Sequence, residues 1–283
     1  LHFGLTEGGL VDAWQRLAAI LKPWYDAIGQ EVKGAGTLHA DETGWRVAGR
    51  TVWLWCFTTA QATYYMIDRC RGAPALLKFF TEEFAGVLVT DFWAAYNIVV
   101  CAARQACLVH LFRELEKVDG LDPSETWAAF RKKLKRLLGD AIRLGAQRET
   151  LPQETFASRR ALLDTRRDEL LAAPWENAHA KRLLKRLRRY RNALFTFLDH
   201  PGVPSDNNHA EREIRPAVVI RKNSLCNRSD NGATVQATMM SVYRTLKLRG
   251  FDPLQTIVSA LKDYVRTGVL PPLPGPKTSD TDS

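Results

Sequence analysis

Three runs of alternating apolar residues follow one another with almost no chain between them. No other feature of the sequence limits the fold as much. Residues 37–47, 51–59 and 62–68 each read with a period of two, joined by Ala48-Gly49-Arg50 and Ala60-Gln61. Connections this short join antiparallel neighbours, because a parallel crossover needs about a dozen residues or more. Val52-Trp53-Leu54-Trp55-Cys56-Phe57 is apolar at every position, which predicts a strand covered on both faces. A Pro-led helix over 74–84 leads into a fourth short strand at 86–90, and the apolar patch at 101–108 can supply a fifth. Hairpins followed by a crossover helix imply an α/β fold, a mixed sheet with helices on its faces.

Helical periodicity covers the remainder. Leu10, Trp14, Leu17, Ala18, Leu21, Trp24 and Ile28 form an apolar stripe that Pro23 kinks or divides. Four helical stretches at 111–118, 124–144, 153–172 and 175–198 are separated by Pro123, Pro152 and Pro174. After the turn at 200–204, Ser205 or Asp206 can cap a helix bearing Glu211, with further helices at 233–249 and 253–267. The reading divides the chain into a helical segment 1–36, a first core part 37–110, a basic helical segment 111–204, a core completion 205–270 and a disordered tail 271–283. The chain opens on Leu1 rather than Met, consistent with a fragment. No apolar run reaches the roughly 18 residues that span a membrane, and no signal peptide is legible.

Charge narrows the partner. The formal net charge is +9, and residues 131–194 hold 18 Lys and Arg against 7 Asp and Glu, so one segment carries the positive field. Such a segment suits a polyanion, though it can also be a solvated helical face. Five cysteines without scaffold spacing fit a reducing compartment. Cys107-Leu108-Val109-His110 with Cys101 is either a zinc-site fragment or a set of small buried thiols.

Three acids stand out. Asp41 sits in the middle of the first strand, where a core strand would place something apolar. Asp91 ends the fourth strand, and Glu211 opens a later helix. Each has an ordinary structural alternative: a hydrogen-bonded strand Asp, a helix cap, and favourable first-turn charge. Gathered together, carboxylates repel unless cations neutralise them, and Mg²⁺ or Mn²⁺ prefers this donor type. Two such ions about 4 Å apart can activate an attacking oxygen and stabilise a leaving one at phosphorus.

The runs His39-Ala40-Asp41-Glu42-Thr43, Thr90-Asp91-Phe92-Trp93-Ala94-Ala95-Tyr96 and Asp206-Asn207-Asn208-His209-Ala210-Glu211-Arg212, with Ile214-Arg215-Pro216 and Arg221-Lys222-Asn223, resemble the core of insertion-sequence-66-type transposases. The resemblance implies a ribonuclease-H-like fold whose basic all-helical insertion lies between the second and third acids. It makes Asp41, Asp91 and Glu211 the catalytic residues and ligands of two Mg²⁺ or Mn²⁺ ions. It further implies a homo-oligomer on double-stranded DNA, in the cytoplasm at the nucleoid, cutting element ends and joining them to target DNA. Phe92-Trp93 replaces the family's usual Gly-Tyr, and Cys107-Leu108-Val109-His110 its Cys-Trp-Ala-His. Expected phosphate contacts are Lys181, Arg182, Lys185, Arg186, Arg188, Arg189 and Arg191 on one helix, and Arg212, Arg215, Arg221 and Lys222 near Glu211. The rival readings are a catalytically silent DNA-binding remnant and a ribonuclease-H-like nuclease without strand transfer.

Overall fold

The computed structural model describes residues 4, 6–224 and 226–277. Five strands, β1 (Thr37–Val47), β2 (Arg50–Thr58), β3 (Thr63–Asp68), β4 (Phe84–Thr90) and β5 (Cys101–Ala106), form one sheet in the order β3-β2-β1-β4-β5. The helices are α1 (Glu7–Ile20), α2 (Lys22–Lys33), α3 (Ala73–Phe79), α4 (Leu108–Asp119), α5 (Glu125–Ala146), α6 (Gln153–Ala172), α7 (Ala178–Arg189), α8 (Asn208–Ser224), α9 (Asp230–Leu248) and α10 (Pro253–Thr267). This mixed sheet flanked by helices is consistent with a ribonuclease-H-like arrangement. By packing, the chain forms two compact units: Leu1–Gly86 with Ala95–Val100 and Asn208–Ser283, and Val87–Ala94 with Cys101–Asn207.

In the first unit, β1 to β3 are antiparallel as the short connections require, with Val47 opposite Arg50 across a two-residue turn. Ala48 and Gly49 both take positive φ (49° and 75°), the form of hairpin turn whose twist matches the strands. Ala48 is an unusual choice there, and Asn227 holds the turn. Its carbonyl accepts the Ala48 N–H at 3.0 Å, its N–H donates to the Arg46 carbonyl at 3.1 Å, and its side-chain oxygen accepts from the Trp45 indole at 2.7 Å. One sheet face carries Val52, Leu54, Cys56 and Tyr65 against Ile214 and Ala217 of α8 and Ala233 and Met240 of α9. On the other face Phe57 stacks on Phe79 at 3.7 Å and meets Phe80 edge-on at 5.7 Å. That pair of rings ends α3 earlier than the pattern suggested, since Phe80 leaves helical geometry to reach the sheet. Gly86 is required in β4, because a Cβ there would collide with the carbonyl oxygens of Ala35 and Gly36.

The apolar stripe near the amino end is divided rather than kinked. α1 stops at Ile20 and α2 starts at Lys22, with Pro23 in its first turn. The tail expected to be disordered from residue 271 is instead held as far as Lys277. Trp24 donates its indole N–H to the Pro271 carbonyl at 2.7 Å, and Lys277 N–H donates to the Arg249 carbonyl at 3.3 Å. Those partners come from α2 and the end of α9, which composition cannot reveal. Residues 278–283 lie outside the described residues.

The second unit is mainly helical. Trp127, Phe130, Leu134, Leu137 and Leu138 of α5 form its core with Leu111 and Leu115 of α4, Leu163 and Leu170 of α6, and Leu183 and Leu187 of α7. Ser124 caps α5 by accepting the Trp127 N–H at 3.3 Å, and Asn177 caps α7 by accepting that of Ala180 at 3.0 Å. No helix among the described residues is long and apolar enough to cross a membrane.

Candidate active site

Alternation along β1 sends its two adjacent acids to opposite faces. His39, Asp41 and Thr43 share the face that α8 covers: the His39 ring meets His209 edge-on at 5.3 Å, and Arg221 donates to Thr43 Oγ1 at 3.1 Å. Asp41 pairs with Cys56 across the β1–β2 ladder, and Cys56 belongs to the apolar cluster under α8. Asp41 Oδ1 accepts the Glu42 N–H at 2.9 Å. Glu42 points the other way. Its carboxylate, 5% exposed, accepts from Tyr96 Oη at 2.8 Å and Arg71 Nη2 at 3.1 Å. The Arg71 guanidinium is itself stacked 4.4 Å from the Trp53 ring centroid.

The glutamates of α8 divide in the same way. His209 donates or accepts at Thr58 Oγ1 (3.2 Å) and lies 2.7 Å from the Thr59 carbonyl, which anchors one end of the helix on β2. Arg221 also donates to the Gly44 carbonyl, which anchors the other end on β1. Ala210, Glu213, Ile214 and Ala217 form the buried stripe between them. Glu213 accepts both Arg244 contacts, from Nε at 2.9 Å and Nη2 at 2.8 Å, and one from Thr63 Oγ1 at 3.4 Å, all on the β2–β3 side. Glu211 precedes it by two residues, a turn of roughly 200° about the axis, so the two point to different sides of α8. Glu211 is half-buried in the first turn of α8. Along the helix it lies about 3 Å beyond His209.

Asp91 belongs to the helical unit. Its Oδ1 accepts the Trp93 N–H at 2.8 Å, closing a tight turn directly after β4. Phe92 is fixed beside it. Its ring meets Tyr190 edge-on at 5.3 Å and lies 5.0 Å from the Arg186 guanidinium, while its carbonyl accepts from Tyr190 Oη at 3.1 Å. Cys107 is buried, its Sγ accepts the Asn207 N–H at 3.2 Å, and burial pushes its thiol pKa upward.

The expected phosphate contacts differ in how far the protein itself uses them. On α7, Lys181 pairs with Glu176 at 3.2 Å, Arg182 with Glu114 at 3.3 Å, and Arg186 with the same Glu114. Arg188 donates to the Leu171 carbonyl at 2.6 and 3.0 Å, and Arg191 pairs with Asp168 at 2.6 Å. Lys185 and Arg189 are exposed, as are Arg212, Arg215 and Lys222 on α8, whereas Arg221 is engaged with β1. The motifs did not single out Glu213 or His209 as supports. A polar residue on the Ala210–Ile214–Ala217 stripe is the signal that would have found Glu213.

These features have relatives. The chain is similar to three proteins of Sinorhizobium fredii (strain NBRC 101917 / NGR234). It is 28% identical to uncharacterized protein y4qI over 83% of this chain and 49% of that protein. The figures are 25% for uncharacterized protein y4jD over 93% and 57%, and 23% for uncharacterized protein y4hP over 95% and 56%. The chain thus spans about half the length of the curated relatives it matches. The family model for the transposase IS66 family matches residues 1–235, a stretch that takes in β1 with Asp41, the turn at Asp91 and the whole of α8. With most of its length accounted for in this way, the chain belongs to the IS66 transposase family.

Proposed function

We propose that this chain is the catalytic core of a DNA transposase in which Asp41, Asp91 and Glu211 hold two Mg²⁺ or Mn²⁺ ions. The observation that carries the reading is the sorting of acids in the β-rich unit. Glu42 and Glu213 are engaged by Arg71, Tyr96 and Arg244, Asp41 lies on the β1 face that α8 covers, and Glu211 stands in the first turn of α8. Three carboxylates make an all-oxygen donor set that suits hard divalent cations. Bound ions would lower the pKa of an attacking water or hydroxyl and offset charge at phosphorus. In the first step water forms a bond to phosphorus, the P–O3′ bond breaks, and the freed 3′ oxygen leaves as a hydroxyl. In the second that hydroxyl attacks a target phosphodiester, so one P–O bond forms for each one broken. In this reading Asp91, held in the tight turn after β4, is the second acid, and residues 111–204 serve as the basic insertion between the second and third acids.

Double-stranded DNA is the substrate in this reading, the working form is a homo-oligomer on DNA, and the place of action is the cytoplasm at the nucleoid. The test is Mn²⁺-dependent cleavage and joining of element-end DNA by the wild type and by Asp41→Asn, Asp91→Asn and Glu211→Gln. Each variant is expected to lose product by at least about 100-fold while its nonspecific duplex affinity stays within twofold. Normal cutting by any one of them removes that residue from the centre. A readout independent of activity is thermal stability. Millimolar Mg²⁺ should raise the melting temperature by mass action, and Asp41→Asn/Asp91→Asn should abolish the rise.

A further inference from the structure

The sequence directs attention to α7 as the DNA-facing helix, but α5 also carries exposed cations. The buried stripe of α5 comprises Trp127, Phe130, Leu134, Leu137, Leu138, Ala141 and Leu144. Its opposite side lines an open groove of about 780 Å³ that takes in Arg131, Lys132, Lys135, Arg136 and Arg143, and no carboxylate lines that groove. The two neighbouring grooves between α5 and α6 differ in this respect, being lined in part by Glu169 and Asp140. Gly139 sits in the middle of the stripe and leaves the floor low.

Nearby acids answer only part of this charge. Asp119 pairs with Arg131 at 2.6 Å, and Asp140 is shared among Arg143, Arg136 at 3.9 Å and Arg166 at 2.8 Å. Lys132 and Lys135 are exposed and make no ion pair among the described residues. Like charges three and four residues apart destabilise a helix by a few tenths of a kcal/mol per pair, so the stripe runs against helix stability unless an anion meets it. From Lys132 to Arg143 the helix rises about 16 Å. That matches roughly five phosphates of one DNA strand spaced at about 3.4 Å along the duplex axis. No Asn or Gln lines the groove, so it offers charge without the bidentate amides that read bases.

We propose that the Lys132–Lys135–Arg136–Arg143 face of α5 is a sequence-independent docking surface for the phosphate backbone of duplex DNA. The proposal rests on the transposase reading for the identity of the polyanion, and the following experiment separates the two. Binding of the full chain to a 30-base-pair mixed-sequence duplex is measured by fluorescence anisotropy between 50 and 200 mM KCl. Lys132→Ala/Lys135→Ala is compared with wild type and with Lys247→Ala/Lys262→Ala, which removes equal charge from the other unit. The α5 variant is expected to flatten the plot of log affinity against log salt by about 1.8, some 0.9 for each phosphate no longer neutralised. The control should leave the slope unchanged.

A wild-type slope retained in Lys132→Ala/Lys135→Ala overturns the α5 assignment and leaves the DNA reading intact. An equal fall in both variants traces the effect to net charge and also overturns it. Wild type without salt-dependent duplex affinity overturns both readings. Affinity for a polyglutamate peptide that falls in the α5 variant while duplex affinity does not would replace DNA with an acidic protein. Lys132→Gln/Lys135→Gln provides the same comparison with much of the side-chain length kept, should the alanine variant melt at a lower temperature.

Discussion

The two units handle charge in opposite ways. In the β-rich unit, buried acids are saturated by short contacts. Glu213 is clamped by Arg244 and Glu42 by Tyr96 and Arg71. In the helical unit several carboxylates lie nearer the surface and hold more than one arginine, as Glu114 does for Arg182 and Arg186 and Asp168 for Arg167 and Arg191. The first arrangement fixes geometry at the cost of desolvating charge. The second masks some cations and leaves others exposed. Positive residues therefore do not map onto binding surfaces by count; what matters is which of them the protein has already engaged.

The sharpest way to break that comparison is to exchange the fates of the two α8 glutamates. Glu211→Gln should abolish cleavage with the melting temperature nearly unchanged. Glu213→Gln should lower stability by about 2 kcal/mol, because Arg244 would keep its charge with only a neutral partner. Loss of cutting by Glu213→Gln at full stability would reverse the assignment.

Arg244→Ala has the larger effect on stability. It leaves the Glu213 carboxylate, 5% exposed, without its bidentate partner, and unfolding in urea should show a loss of about 3 kcal/mol. Arg244→Met/Glu213→Leu should recover most of that, since removing both charges abolishes the desolvation cost. Tyr96→Phe removes one of the donors to Glu42 and should cost about 1.5 kcal/mol in the same measurement.

The smallest effect belongs to the helical unit and depends on pH. The Asn177 amide, followed by the Ser124 hydroxyl and N–H, holds the Asp122 carboxyl down to about 2, below the ordinary 3.8. A depressed carboxyl stabilises the fold fully above about pH 4, and the contribution vanishes as pH falls through 2. Wild type and Asp122→Ala should therefore differ in urea midpoint at pH 7 and converge below about pH 2. A constant gap would show that Asp122 acts through something other than its charge.

Much of the sheet was legible because period-two patterning is local. The hairpins β1–β2 and β2–β3 and the strand ending at Thr90 fall where alternation put them, and the two-sided apolar run of β2 is buried on both faces. The same alternation already separates Asp41 from Glu42. It does not say which face α8 will cover, because that depends on His209 and Arg221 reaching β1 and β2 from more than 150 residues away. The ion pairs of the α7 arginines were hidden for a similar reason. Their carboxylate partner Glu114 lies 68 and 72 residues upstream of Arg182 and Arg186, beyond the range of any i,i+4 argument.

The sequence by itself determined the order of strands and helices, the local caps and turns, the excess of positive charge within 131–194, and the motifs that mark the family. Those follow from neighbours a few residues apart, where backbone periodicity and capping chemistry act. Tertiary structure decided which acids are neutralised and which arginines are engaged. Ion pairing and burial are properties of side chains that meet in space, and their partners come from elements that the sequence holds far apart.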